Sequence, residues 1–128
     1  MARLLIIAAL LLTLITFATI ELIWVRDIYN DLDSNLSTLR EGMQGERIDT
    51  AENIKLSDHM YSQWLKDERR LVMLTRHSDL MQVSDALIYI KNFIYFDNKE
   101  EVMAGVLRLQ YLIDTHRFNI ATSPRNII

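Results

Sequence analysis

The feature that most constrains this chain is a long apolar segment near its N-terminus. Residues 4–25 contain only four side chains that are not apolar, three threonines and Glu21. A helix of this length extends about 33 Å, and a hydrocarbon layer is about 30 Å thick. The threonines fit such a helix because each hydroxyl can donate to a carbonyl one turn earlier. The segment therefore predicts a transmembrane anchor over residues 1–25.

Two other interpretations of the segment are weaker. A buried core helix of a small domain rarely stays apolar on every face over such a length. A cleaved signal peptide would have its apolar region at residues 4–15 and a cleavage site near residues 16–18. Such a region ends after about 7–15 residues, whereas this segment continues through residues 20–25. We therefore expect an uncleaved anchor.

The charges on either side of the anchor predict its orientation. The N-terminal side has the free amine and Arg3, whereas Arg26 on the other side is followed by several aspartates. Basic residues favour the cytoplasmic side of a membrane, and acidic residues contribute little. The sequence predicts a single-pass protein of the cell membrane, with its N-terminus in the cytoplasm and residues 26–128 outside it.

Glu21 is the one ionisable residue inside the anchor after Arg3. A carboxylate at the bilayer centre is costly, but Glu21 lies near the interface, about one turn from Arg26. One interpretation is a hydrated interfacial carboxylate that can pair with Arg26. The other is a contact with a polar or basic group on another membrane helix, which makes Glu21 a candidate membrane-partner contact.

Turn-forming residues are too few for a β-rich fold. The 128 residues include 3 Gly and 1 Pro, and sheets need many tight turns. We therefore predict an all-α fold. The net charge of -3 is a poor match for nucleic acid. The absence of cysteine excludes disulfides, cysteine-ligated zinc, thiol catalysis and a lipoprotein anchor.

Apolar residues continue at helical spacing beyond the anchor, which predicts that the membrane helix extends outward as an amphipathic stalk. Gly42 and Gly45 are expected to end this helix. We assign residues 26–47 to the stalk and its linker. The apolar positions of the stalk are Ile28, Leu32, Leu36, Leu39 and Met43.

Residues 48–128 read as a small antiparallel bundle of three or four helices in total, with a C-terminal tail. Asp49 and Glu52 resemble a capping box for a helix that runs to about Arg76. Ser78 and Asp79 offer N-caps for the next helix. The stripe of the second helix is predicted at Ile54, Tyr61, Trp64, Leu65, Leu71, Val72 and Leu74. The stripe of the third helix is predicted at Leu80, Val83, Leu87, Ile90 and Ile94, widened by Ile88, Tyr89, Phe93, Tyr95 and Phe96. The stripe of the fourth helix is predicted at Val102, Val106, Leu109, Leu112 and Ile113, with Ile120 as a further candidate.

The turn at Asp97-Asn98 separates the last two helices. Residues 122–128 contain Pro124 and are predicted not to be helical. Within this tail, Asn126, Ile127 and Ile128 are candidates for packing against the bundle, and a short docking peptide is the alternative.

Several features of the sequence are distinctive in combination: the anchor, Trp64, His77 and Asp79, the helix start Leu80-Met81-Gln82-Val83, the Asp97 turn and Asn126-Ile127. Together they resemble a family of small membrane-anchored proteins of spore-forming Firmicutes, defined only by a domain of unknown function. The resemblance implies an all-helical head on an N-terminal anchor, in a bacterium. It further implies association with multi-pass membrane proteins of the spore or cell envelope.

The histidines offer one candidate metal site. His77 and His116 would both fall near helix C-termini at one end of the bundle, where Asp79 or Asp114 could add ligands. The favoured interpretation is structural, with His77, Asp79 and His116 as helix-terminus residues whose charges interact with helix ends. His59 lies on a polar stretch and is expected to be solvated. We therefore predict no metal and no cofactor.

A basic cluster lies just before the predicted third helix. It consists of Lys66, Arg69, Arg70 and Arg76, interleaved with Asp67 and Glu68. A solvated face with local ion pairs is the default interpretation. Binding to anionic lipid headgroups or to an acidic partner is the alternative.

The sequence has no nucleotide-binding glycine loop, nucleophile elbow or zinc-protease motif. We therefore predict no enzymatic activity. The favoured function is a membrane-tethered helical interaction module, an accessory subunit of a bacterial envelope or spore membrane complex that contacts another membrane protein or itself. The alternative is an extracytoplasmic sensor that binds a small ligand or lipid. Its cavity would be lined by Tyr61, Trp64, Tyr89, Phe93 and Tyr111.

Overall fold

The computed structural model describes the backbone of residues 1–127 and the side chains of residues 1–119. This part of the chain forms four α-helices and no strand, which confirms the all-α prediction. The helices are α1 (Ala2–Gly42), α2 (Ala51–Leu71), α3 (His77–Tyr95) and α4 (Lys99–Ile127). Short connections make neighbouring helices antiparallel. Helix α1 packs on α2 and α4, and α3 packs on the same two helices, so α1 and α3 lie diagonally opposite each other.

Helix α1 is continuous over 41 residues and has two distinct halves. Residues 2–21 are exposed along their whole length, whereas burial begins at Val25. This helix is long and apolar enough to cross a membrane, and none of its apolar window is buried within the described structure. Three threonine hydroxyls in the apolar segment each donate to the carbonyl four residues earlier at 2.8 Å, as predicted: those of Thr13, Thr16 and Thr19.

The second half of α1, predicted as a stalk, is itself a helix of the bundle. The five predicted apolar positions are all buried, and Val25 and Tyr29 join them. They pack into one hydrophobic core with side chains of α2, α3 and α4. The continuous helix and its apolar stripe were predicted from the spacing. The side chains of α2 and α4 that cover the stripe were not, because periodicity shows which face is buried but not against what.

The predicted stripes of α3 and α4 are confirmed in their central positions. The α4 positions predicted from Val102 to Ile113 are all buried, and Ile120 lies outside the residues whose side chains are described. All five predicted positions on α3 are buried as well, together with Ala86. The proposed widening of the α3 stripe is wrong at its edge, because three residues are exposed: Ile88, Tyr95 and Phe96. A helix packed on two neighbours leaves its remaining face to solvent.

Helix α2 differs most from its prediction. Thr50, not Asp49, is the N-cap, and its hydroxyl accepts from the Asn53 backbone N–H at 3.2 Å. Asp49 instead binds Arg47, with 2.6 Å between the charged atoms. The helix ends at Leu71, so Val72 and Leu74 of the predicted stripe lie in the connection that follows, where both are exposed. Leu65 of the same predicted stripe is exposed as well. The buried positions of α2 are Asn53, Ser57, Met60, Trp64 and Leu71.

Two further helix boundaries differ from the sequence predictions. Helix α3 begins at His77, before the predicted caps, because the Arg76 carbonyl accepts from the backbone N–H groups of Asp79 and Leu80. Helix α4 extends to Ile127, so the predicted non-helical tail is helical over most of its length. Pro124 removes one intrahelical hydrogen bond but holds its φ angle near the helical value.

Candidate functional site

The most distinctive polar feature inside the bundle is a hydrogen-bonded pair formed by Tyr29 and His116. Tyr29 lies on α1 and His116 on α4, and their side chains are 1% and 8% exposed. The Tyr29 hydroxyl and His116 Nδ1 are 2.9 Å apart, and the two rings meet edge to face at 5.4 Å between centroids. The pair therefore joins α1 and α4 through two residues that are 87 positions apart in sequence.

Trp64 of α2 completes this cluster. Its ring lies 6.0 Å from that of Tyr29, centroid to centroid. Its indole Nε1 donates to Ser84 Oγ on α3 at 2.8 Å, and that hydroxyl donates to the Leu80 carbonyl at 3.2 Å. All four helices thus contribute to one layer in which each named polar group has a partner. Such satisfied networks fix the relative position of helices.

Burial keeps both members of the pair neutral. It raises the pKa of the Tyr29 hydroxyl well above its ordinary range, and the negative charge of Asp79 acts in the same direction. Burial lowers the pKa of the His116 imidazole, and Asp79 partly opposes this change. Desolvation penalises the charged form of either group. At neutral pH the cluster is therefore an uncharged link between α1 and α4.

A half-exposed polar layer lies beside the pair on the same two helices. The Arg117 guanidinium contacts Asp33 at 3.4 Å and Asp114 at 2.8 Å. Gln110 donates to Asp33 at 3.0 Å and to Asp114 at 3.1 Å. Arg117 also donates to the Asn30 amide oxygen. The bonds to Asp33 and Asn30 connect α4 to α1 again at the surface, whereas those to Asp114 lie within α4. Each ion pair at such a surface contributes little by itself.

The opposite end of the bundle is fixed by two other side chains. The Asn53 amide donates to the carbonyls of Gly42 and Ile48, each at 3.0 Å. Asp97 adopts a positive φ of 52° in the predicted turn between α3 and α4. Its Oδ1 accepts from the Ile48 backbone N–H at 2.7 Å. The two connections at this end are thereby tied to each other.

The histidines and aspartates considered as candidate metal ligands are not grouped around a common site in the described structure. Among the residues it describes, no group of three or more His, Asp or Glu side chains is placed to hold an ion. His77 is exposed at the first position of α3, and Asp79 follows in its first turn. His116 lies inside α4, so it does not interact with a helix C-terminus as predicted. Asp79 does lie near enough to His116 and Tyr29 to affect both pKa values.

The aromatic residues predicted to line a ligand cavity are dispersed. Tyr89 and Phe93 pack on each other at 4.6 Å, Tyr61 lies under the Lys91 ammonium, and Tyr111 is exposed. Only Trp64 of the predicted set borders the groove of about 330 Å³ between α1 and α2. The remaining groove residues are mostly polar: Asp31, Ser34, Asn35, His59, Gln63 and Asp67, with Ile28, Leu32 and Met60. The groove is half open to solvent, and Trp64 is the one aromatic side chain among the described residues that line it.

Glu21 lies on the exposed half of α1. No side-chain hydrogen bond or ion pair within the described residues involves it, and Arg26 does not approach it within ion-pair distance. The predicted tail contacts of Asn126, Ile127 and Ile128 lie outside the residues whose side chains are described.

Sequence reasoning missed the Tyr29–His116 pair, although a signal for it exists. His116 occupies the next position after Leu109, Leu112 and Ile113 in the buried stripe of α4. A polar residue at a stripe position predicts a buried partner on a facing helix. Tyr29 adjoins Ile28 on the stripe of α1. Its position just beyond the apolar segment instead favours the membrane interface, where aromatic residues near the end of a span are typical.

Comparison with known proteins gives no match to any protein-family model, curated protein or solved structure. The family resemblance therefore stays a prediction from sequence.

Proposed function

We propose that this protein is a membrane-tethered helical interaction module, a non-enzymatic accessory subunit of a bacterial envelope or spore membrane complex. Its α1 helix spans the cell membrane with the N-terminus in the cytoplasm, and the bundle lies outside. The flanking charges support this orientation, and the family resemblance supports the setting. The partner is another membrane protein or a second copy of the chain.

The observation that carries this proposal is the division of α1 into an uncovered apolar half and a covered half. The covered half is an integral helix of the bundle, and the uncovered half has no partner within the described chain. Because the helix is continuous, a contact made by its apolar half fixes the position of the bundle as well. A rigid connection of this kind suits a subunit that assembles through its membrane helix.

Glu21 supports a membrane-helix partner. It is exposed near the end of the apolar segment, without an internal ion pair among the described residues. An acidic side chain in such a position usually faces a protein surface or water rather than lipid. A polar or basic group on a neighbouring membrane helix would satisfy it.

The described cluster offers no reactive group to a substrate. Tyr29 and His116 are bonded to each other, and the groove beside Trp64 is half open and mostly polar. We therefore favour the interaction module over a sensor for a small ligand or lipid.

Photocrosslinking in the native membrane tests the proposal. A benzophenone amino acid replaces Phe17, which is exposed one turn from Glu21. We expect a protein adduct of defined mass, and Glu21→Gln should reduce its yield several-fold. Thr19→Val is the matched control, because the Thr19 hydroxyl is already satisfied by the Ile15 carbonyl. Lipid adducts alone, at Phe17 and at other exposed positions of the segment, would contradict the proposal.

A further inference from the structure

The connection between α2 and α3, residues 72–76, exposes an apolar turn at one end of the bundle. Val72, Met73 and Leu74 are 45%, 87% and 39% exposed, whereas Leu71 immediately before them is fully buried. Three consecutive apolar side chains in a solvent-facing turn are unusual, since such turns normally consist of polar residues. This exposure indicates that another surface covers these three side chains.

The helix register places this turn beside the end of the apolar segment of α1. The α1–α2 pair is antiparallel, with Tyr29 next to Trp64 at 6.0 Å between ring centroids. Both helices rise equally per residue. Leu71 lies seven residues beyond Trp64, and Leu22 lies seven residues before Tyr29. The turn that follows Leu71 is therefore about level with the last turn of the segment over residues 4–25.

Basic side chains flank the turn on both sides. Arg69 and Arg70 lie in the last turn of α2, and Arg76 immediately precedes α3. All three are exposed, and no ion pair within 4.0 Å joins them to a carboxylate in the described part of the chain. Asp67 and Glu68 are close in sequence, so the surface is mixed in charge. Burial raises the pKa of Asp67, and the positive charge of Arg70 only partly opposes this change. The three guanidinium groups nearest the apolar turn are nevertheless available.

We propose that the α2–α3 turn docks on the headgroup layer of the membrane that α1 spans. Met73 enters the boundary between headgroups and acyl chains, and the guanidinium groups of Arg69, Arg70 and Arg76 bind anionic lipid phosphates. Interfacial binding of this kind combines buried apolar area with attraction to anionic lipids. The bundle then rests on the bilayer at two points, the α1 helix and this turn. The inference rests on the proposed membrane anchoring and adds a lipid-binding surface to it.

A lipid surface fits this feature better than a protein partner does. The turn lies at the end of α2, level with the segment that enters the membrane, and exposed arginines flank its apolar residues on both sides. A bilayer of anionic lipid provides an acyl layer behind a layer of phosphates, which is the matching arrangement.

The test uses spin labels on the full-length chain in vesicles of phosphatidylcholine and phosphatidylglycerol. The chain contains no cysteine, so Met73→Cys, Glu46→Cys and Ile15→Cys each give a single label. These positions are all exposed and should not disturb the fold. Collisions with oxygen, which dissolves in acyl chains, and with a water-soluble nickel complex measure depth. We expect an oxygen-to-nickel ratio several-fold higher at position 73 than at position 46, with the highest ratio at position 15.

The outcomes separate the inference from the proposed function. A high ratio at position 15 with an aqueous value at position 73 would overturn the docking proposal and leave the anchor intact. An aqueous value at position 15 would overturn both. Label-to-label broadening at position 73, or a loss of collisions with both reagents there, would show that a second copy or another protein covers the turn, and would overturn lipid docking.

Lipid charge provides a second measurement. The variant Arg69→Gln, Arg70→Gln, Arg76→Gln should reduce the depth of the position-73 label in vesicles with phosphatidylglycerol, and should have little effect in phosphatidylcholine alone. A matched control removes three exposed cations elsewhere, through Arg40→Gln, Lys55→Gln and Lys99→Gln, and should leave the depth unchanged. An equal effect of both triple variants would contradict the specific role of these arginines.

Discussion

At the scale of single residues, a buried hydrogen bond between Tyr29 and His116 holds α1 against α4. Both side chains are almost inaccessible to solvent. A buried polar group that loses its partner pays its full desolvation cost, which exceeds the net contribution of the bond itself. The pair is therefore more important for the specific position of α1 than for the total stability of the core.

Tyr29→Phe tests this role directly. The variant keeps the ring contacts with Trp64 and His116 but leaves the imidazole without its partner. We expect the free energy of unfolding to fall by about 1–3 kcal/mol. Tyr111→Phe is the control, since Tyr111 is 69% exposed and should change stability by less than about 0.5 kcal/mol. Urea titration of the full-length protein in detergent micelles measures both, and equal effects would show that the buried bond has no special role.

The stability of the bundle should also depend on pH through His116. Burial lowers the pKa of this imidazole in the folded chain below its ordinary value of 6.5. The unfolded chain therefore binds a proton first as the pH falls. Stability is full above about pH 6.5 and decreases from there towards the lower folded pKa. His116→Gln should remove this component, and His59→Gln, at an exposed position, should retain it. Identical pH profiles for these two variants would argue against the assignment to His116.

Gly42 is required by the close approach of Asn53. A Cβ at this position would overlap the Asn53 side chain, whose amide donates to two backbone carbonyls. Gly42→Ala should lower the free energy of unfolding by about 1–2 kcal/mol, because the lost amide bonds outweigh the gain in helix propensity. Gly45→Ala provides the comparison, since its Cβ would meet nothing closer than 3.7 Å. A thermal melt in micelles that ranks Gly45→Ala below Gly42→Ala would refute this explanation.

The sequence predicted the local roles of Gly42 and Asp97 but not their contacts with distant residues. Gly42 was expected only to end a helix, and its contact with Asn53 depends on how α2 returns along α1. Asp97 was predicted as a turn residue, but its bond to Ile48 joins parts of the chain 49 residues apart. Local preferences predict turns and caps, whereas side-chain bonds between distant helices depend on the tertiary arrangement.

At the scale of elements, the central feature is the dual role of α1. The amphipathic spacing from Ile28 to Met43 correctly predicted a helix with one apolar face. A stalk that stands alone would leave that face in water, so its complete burial identifies the element as a bundle helix. Helix α2 was predicted less well because it is the most polar of the four, and its buried stripe includes Asn53 and Ser57.

Leu36→Ala distinguishes a bundle helix from a free stalk. Leu36 is fully buried, and its truncation should cost about 2–5 kcal/mol of unfolding free energy. Ser37→Ala changes the exposed neighbour on the same helix and should be nearly neutral. Chemical denaturation followed by the fluorescence of the two tryptophans would measure the difference. A small and equal effect of both substitutions would mean that α1 does not pack on the bundle.

At the scale of the whole molecule, one helix connects the apolar segment to the core without a linker. The burial of α1 from Val25 onward leaves no flexible spacer between the segment and the bundle. Length and apolar composition predicted the segment, and stripe spacing predicted the helices. Their lateral arrangement and the exposed turn at residues 72–74 depend on where α2 ends, which the sequence prediction placed too late.

Hydrogen exchange of the full-length chain in lipid nanodiscs tests the central claim, the continuity of α1 from the apolar segment into the bundle. We predict slow exchange of every backbone amide over residues 20–39, because lipid or core packing protects each turn of the helix. A fast-exchanging stretch at residues 24–30, between protected segments on either side, would show a hinge and contradict the account.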